Sequence, residues 1–253
     1  MGALYELVNV MARLRSKGGC PWDREQSHES LKPYIIEETY EVLNAIDRKD
    51  DEELREELGD LLLQIVFHAQ IAAEEGRFTI DDVARTIVEK LKRRHPHVFG
   101  DAEVEDSGEV LRNWEAIKKE EGKVSVLDGV PDGLPALLKA QRVQEKVRRV
   151  GFDWESIGGT FDKVREEIAE LEKAIEEGDG AGIEDEFGDI LFSLVNVARF
   201  LDIDAEESLR QTAKKFSQRF RYIENRVTEI GDRPIEDYSL EELDSLWEEA
   251  KGS

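Results

Sequence analysis

The chain has 253 residues, 37% of them charged and 40% hydrophobic, enough for one large or two modest domains with a well-solvated surface. Its formal charge of -24 argues against a nucleic-acid binder and against an anionic membrane surface, because both partners need a basic face. Cys20 is the single cysteine, which excludes an intrachain disulfide and makes a reducing cytoplasm the default compartment.

Along the chain, apolar residues recur at helical rather than strand spacing. A helix is expected over about Ser30 to Arg48, with Leu31, Ile35, Val42 and Ile46 inward. The next is expected over about Glu52 to Glu75, with Leu54, Leu58, Leu61, Leu62, Ile65, Val66 and Ala69 inward and Gly76 as its cap. A third opens on Thr79-Ile80-Asp81-Asp82 and ends by Pro96; a fourth covers Val110 to about Glu121. Gly122 to Pro135 carries Gly122, Gly129, Pro131, Gly133 and Pro135 with little periodicity and reads as a linker. Beyond it, helices are expected over Ala136 to Val150, Thr160 to Glu177, Ile183 to Leu201, Ala205 to Ile230 and Leu240 to Ala250, with a turn at Gly151-Phe152-Asp153-Trp154. The fold class is therefore all-α, with an N-terminal domain over 1–121, a linker over 122–135 and a C-terminal domain over 136–253. No apolar run approaches the roughly 20 residues that span a bilayer. The longest, Leu61 to Ala73, is broken by Gln64, His68 and Gln70.

The chain repeats itself. Glu37-Glu38-Thr39-Tyr40-Glu41, followed by Glu57-Leu58-Gly59-Asp60, returns 129 positions later as Glu166-Glu167-Ile168-Ala169-Glu170 and Glu186-Phe187-Gly188-Asp189. Lys90 and Arg94 correspond to Lys215 and Arg219, and Trp114 and Lys118 to Trp247 and Lys251, each pair spaced i,i+4. Cys20-Pro21-Trp22-Asp23 and Gly151-Phe152-Asp153-Trp154 precede the two acidic helices by similar distances, so the chain reads as a tandem duplication of one helical unit. Glu38 and Glu41 share a helix face, as do Glu57 and Asp60 on the next helix. If those helices pack antiparallel, four carboxylates converge and need a compensating cation or protons. All-oxygen ligands favour Mg²⁺, Mn²⁺ or Ca²⁺ over Zn²⁺.

The doubled Glu-Glu-x-x-Glu and Glu-x-x-Asp motifs, with the Cys-Pro-Trp-Asp segment and the cationic and tryptophan pairs, resemble the MazG nucleoside triphosphate pyrophosphohydrolases, of the all-α NTP pyrophosphatase superfamily. The resemblance covers nearly the whole chain, tandem layout included. It implies two MazG-like helical bundles that cleave nucleoside triphosphates between the α and β phosphates, giving a monophosphate and pyrophosphate. By that likeness Glu167, Glu170, Glu186 and Asp189 bind Mg²⁺, with Mn²⁺ as a substitute, and Glu38, Glu41, Glu57 and Asp60 do so in the first half. Lys163 resembles the family's phosphate-contacting lysine, Lys215 and Arg219 hold the triphosphate, and Trp247 and Lys251 close over the nucleotide. Lys90, Arg94, Trp114 and Lys118 are their counterparts in the first half. A water activated by metal, or by a spare carboxylate such as Glu37 or Glu166, attacks in line. Tyr34 stands where the first half would need Lys163, so the second half is the expected main site. The likeness also implies a homodimer.

Other signals are weaker. Glu25-Gln26-Ser27-His28 is a lone Glu-x-x-His, whereas a ferritin-like di-iron centre needs two. His95 suits the negative end of a helix that Pro96 closes, and His68 reads as a packing residue. No P-loop exists, since Gly122-Lys123 has Ile117 and Val124 where a glycine and a hydroxyl are required. A narrow dUTPase-like enzyme, a di-metal redox bundle and a non-catalytic acidic scaffold are the competing readings. They separate by substrate competition, iron uptake, and a nucleotide-dependent thermal shift.

Overall fold

The computed structural model describes residues 2–100, 104, 106, 109, 110, 117, 125–231 and 233–252. The chain divides into two units, Met1–Lys118 and Lys119–Ser253, and among the described residues every regular element is helical. The helix expected over Val110 to Glu121 lies mostly outside the described residues, Trp114 and Lys118 included.

The first unit opens with α1 (Ala3–Arg15), which was not among the expected helices. Its signal was present in the sequence: Leu7, Val8, Met11 and Leu14 fall on one face, and Met11 is buried among Leu31, Val66, Phe67 and Ile71. The Cys-Pro-Trp-Asp segment forms the short α2 (Pro21–Glu25), whose Pro21 sits at a first-turn position where a missing N–H costs nothing. Trp22 meets Tyr34 edge-on, ring centroids 6.0 Å apart.

Helix α3 (Lys32–Arg48) and helix α4 (Asp51–Glu74) form the unit's principal pair. Only Lys49 and Asp50 separate them, so they pack antiparallel. Asp50 caps α4, its carboxylate accepting from the N–H groups of Glu52 and Glu53 at 3.0 Å each. Helix α5 (Ile80–Arg94) starts on a capping box between Thr79 and Asp82, and the single turn α6 (Pro96–Phe99) follows. His95 Nδ1 lies 2.7 Å from the Leu91 carbonyl at the end of α5, in keeping with the helix-end role read from the sequence.

The second unit repeats the plan with α7 (Ala136–Arg148), α8 (Ile157–Glu177), α9 (Gly180–Phe200), α10 (Ala205–Ile230) and α11 (Leu240–Gly252). Helix α7 packs on α9 as α1 packs on α4, so the duplication begins one helix earlier than the acidic motifs indicate. Helix α8 starts at Ile157 rather than Thr160. A Cβ on Gly159 would meet the Trp154 ring at 2.8 Å, so the glycine lets the first turn form against the indole. The expected turn around Asp153 is held by Arg199, whose buried guanidinium ion-pairs with the Asp153 carboxylate and also donates to Asn196. A small core of Ile223, Val227 and Leu246 joins α10 to α11.

One expectation is corrected. Leu58, Leu62, Ile65 and Ile46 were assigned inward, yet all four are exposed. Val66 and Ala69 are buried as expected, and Phe67, Ile71 and Ala72 complete the buried face of α4, which packs on α1 and α3.

Candidate active site

The carboxylates come together from two helices in each unit. In the first, single oxygens of Glu38 and Glu41 on α3 and of Glu57 on α4 all lie within 4.8 Å of one another. In the second, oxygens of Glu167 on α8 and of Glu186 and Asp189 on α9 do the same. Oxygens opposed across a hard divalent cation at about 2.1–2.4 Å stand roughly 4.2–4.8 Å apart, so both clusters suit such an ion. The remaining predicted ligands flank these sets: Asp60 raises the pKa of Glu38 and Glu57 by like-charge repulsion, and Glu170 does so for Glu186.

The electrostatics record the cost of this convergence. Burial first, then the neighbouring Asp60 and Glu41, push the Glu38 carboxyl above its ordinary 4.5. Burial, then Glu41 and Asp60, raise Glu57; burial, then Glu170 and Glu167, raise Glu186. Each shift records burial and like-charge neighbours that disfavour the anionic form. The donor set is all oxygen and converging, which suits a hard divalent cation better than a soft one.

The two clusters differ in what stands beside them. Lys163 donates to Glu166 at 2.8 Å and ion-pairs with Glu167 at 2.6 Å, and those two bonds hold its ammonium well above an ordinary lysine pKa. In the first unit Tyr34 occupies that position, and the neighbour is Gln64 instead, its amide 3.5 Å from a Glu38 oxygen. Sequence reasoning missed Gln64 because a glutamine within an apolar run carries no spacing signal. Glu37 and Glu166, the candidate bases, are both exposed on the outer edge of their helices.

Lys215 and Arg219 share one face of α10, and the Arg219 guanidinium lies 5.5 Å over the ring of Trp247 on α11. Trp247 also packs against Phe216 at 5.0 Å, while Lys251 pairs with Glu248. Arg219 and Trp247 therefore meet at the α10–α11 junction, with Lys215 and Lys251 one turn away on their own helices. Among the described residues no hydrogen bond or ion pair links them to the carboxylates of α8 and α9. Lys90 and Arg94 sit on α5, likewise with no recorded bond to Glu38, Glu41, Glu57 or Asp60 among the described residues. Of the histidines, His28 and His68, one read as part of a lone motif and the other as packing, face each other at 2.7 Å.

The arrangement has close relatives. The sequence model of the MazG nucleotide pyrophosphohydrolase domain matches this chain twice, over residues 26–99 and 158–223. The chain is 50% identical to the nucleoside triphosphate pyrophosphohydrolase/pyrophosphatase MazG of Thermotoga maritima, across 99% of this chain and 97% of that protein. It is 46% identical to the nucleoside triphosphate pyrophosphohydrolase of Escherichia coli strain K12, across 99% of this chain and 98% of that one. A Bacillus subtilis protein, YabN, is 52% identical across 96% of this chain and 50% of its own length.

Proposed function

The chain belongs to the MazG nucleotide pyrophosphohydrolase family, and on that premise we propose that it hydrolyses nucleoside triphosphates between the α and β phosphates, releasing a monophosphate and pyrophosphate, with Mg²⁺ as cofactor and Mn²⁺ able to replace it. The observation that carries this reading is the convergence of three carboxylate oxygens from one antiparallel helix pair, built twice.

In the second unit Glu167, Glu186 and Asp189, with Glu170 beside them, hold the cation; Glu38, Glu41, Glu57 and Asp60 are the equivalent set in the first. When bound, the ion supplies charge neutralisation on the phosphates and lowers the pKa of an attacking water. Lys163, ion-paired with Glu167 beside the cluster, is our candidate for binding a phosphate oxygen. Lys215 and Arg219 add the remaining positive charge that a triphosphate needs on an acidic protein, and Trp247 offers an indole face to the base. Glu166, exposed and bonded to Lys163, is our candidate for accepting the water's proton. The second unit is the principal site, because Tyr34 leaves the first without that lysine. The enzyme acts as a cytoplasmic homodimer, and the exposed apolar residues of α4 and α9 support a second copy as the partner.

The test is product identity. Purified protein with a nucleoside triphosphate and Mg²⁺ is expected to release pyrophosphate; orthophosphate as first product overturns the reading. Glu167→Ala is expected to lower turnover by about a thousandfold, the equivalent of several kcal/mol of lost transition-state stabilisation. Its circular dichroism should stay helical. Retained turnover in that variant would move the chemistry away from this cluster.

A further inference from the structure

The two carboxylate clusters are alike in composition but not in occupancy by the chain's own charges. We propose that they are unequal cation sites: the first takes up a divalent ion without nucleotide, while in the second Lys163 stands in for the ion until a triphosphate draws it away. This rests on the metal-dependent reading above and goes further by ordering the two sites.

In the first unit Glu38, Glu41, Glu57 and Asp60 form no ion pair with any Lys or Arg among the described residues. The group beside them is Gln64, 6% exposed, which directs its amide at Glu38 and leaves its own Oε1 buried with no hydrogen-bond partner. The side chain that meets Glu38 is thus a neutral amide, which supplies no counter-charge to the carboxylate set and leaves it open to a cation. Ser193 takes the position of Gln64 in the second unit, so this amide is confined to the first.

In the second unit the Lys163 ammonium is 2.6 Å from Oε1 of Glu167, a ligand residue that is only 3% exposed. An ion arriving at Glu167, Glu186 and Asp189 meets a resident positive charge and an oxygen already engaged. Like charges a few ångströms apart in a partly dry site weaken the second ion's binding by about tenfold or more. A triphosphate changes the balance, since its oxygens offer the lysine a stronger anionic partner and release Glu167 for the metal. Tyr34 offers the first unit no such gate.

The measurement is a Mn²⁺ titration of the full chain without nucleotide, following free Mn²⁺ by electron paramagnetic resonance. One tight site per chain is expected, lost in Glu38→Gln and kept in Glu167→Gln. Lys163→Met is expected to tighten the second site by about tenfold or more, so that two sites fill together. Adding a triphosphate analogue with a non-cleavable α–β bridge to the unmutated chain should fill the second site as well. Circular dichroism of each variant confirms that it is folded. Two equal sites in the unmutated chain, a single tight site that disappears with Glu167→Gln, or an unchanged titration in Lys163→Met would each overturn the proposal while leaving the pyrophosphohydrolase reading intact. No Mn²⁺ binding with or without the analogue would remove both.

Discussion

Arg77 has no acceptor atom, so its Nη2, 2.6 Å from His28 Nε2, makes that ring nitrogen an acceptor. His28 Nδ1 then carries the ring hydrogen and donates it to His68 Nδ1 across 2.7 Å, the two rings parallel. A proton added to His68 Nδ1 would set two donors against each other. Burial first, then His28, hold the His68 pKa below its ordinary 6.5. The other charges around the pair are Glu29 beside His28 and Glu75, which pairs with Arg77 at 2.6 Å. With the folded value depressed, the unfolded chain binds more protons just below pH 6.5. The stability this pair contributes is therefore present above 6.5 and lost as pH falls through the lower folded-state value. Urea midpoints should decline as pH is taken from neutral to below 6, and His68→Phe should flatten that decline; an equally steep decline in His68→Phe would assign it elsewhere. The meeting of the two histidines was not readable from the sequence, because it depends on how the segment before α3 lies on α4. The Lys163 and Tyr34 difference was readable, since it follows from register alone.

Helices α3 and α8 end at equivalent positions by the same left-handed turn, but with different residues. Lys49 has φ 55° and ψ 39°, and Gly178 has φ 69° and ψ 25°. The following residue closes the turn in both, Asp50 N–H on Ala45 at 3.2 Å and Asp179 N–H on Ala174 at 3.0 Å. A side chain in this region costs about 1 kcal/mol, a cost that glycine avoids. Lys49→Gly should accordingly stabilise the first unit by about 0.5–1 kcal/mol, seen as a rise of a few degrees in thermal unfolding, with pyrophosphate release unchanged. A lower Tm would mean that the Lys49 side chain outweighs its backbone strain. At this scale the sequence was most informative: the carboxylates at i,i+3 and the short connections specified two antiparallel pairs. It was least informative where burial is one-sided. The stripe of Leu58, Leu62 and Ile65 has the spacing of a core face, and periodicity cannot say whether the surface opposite belongs to this chain or to another. Helix α1 was missed although its apolar spacing is present, and the association of Arg219 with Trp247 needs a tertiary contact that local spacing does not encode.

The same stripe supports the proposed homodimer. Leu58, Leu62 and Ile65 on α4 are matched, at the same register of the repeat, by Phe187, Leu191 and Leu194 on α9, and all six are exposed. Phe187 is 56% exposed and Leu58 49%, on the same helices that carry the proposed cation ligands Glu57, Glu186 and Asp189. Apolar side chains at i, i+4 and i+7 are costly to leave in water at about 25 cal/mol per Å², and a repeated stripe is the pattern expected when like helices cover one another. The acidic surface opposes indiscriminate association, since each copy carries a formal -24, so contact must be confined to the uncharged strip. Sedimentation equilibrium should return about twice the 28.9 kDa chain mass. Replacing Leu62 and Leu191 together by Glu should return the single chain, with its helical content kept. The companion readout is turnover. Among the described residues Lys215 and Arg219 make no hydrogen bond or ion pair to Glu167, Glu186 or Asp189, so a dimer that completes the phosphate site predicts a monomeric variant that still binds Mn²⁺ but cleaves poorly. Full activity in that monomer would place the whole triphosphate site within one chain and leave the stripe as a purely structural contact.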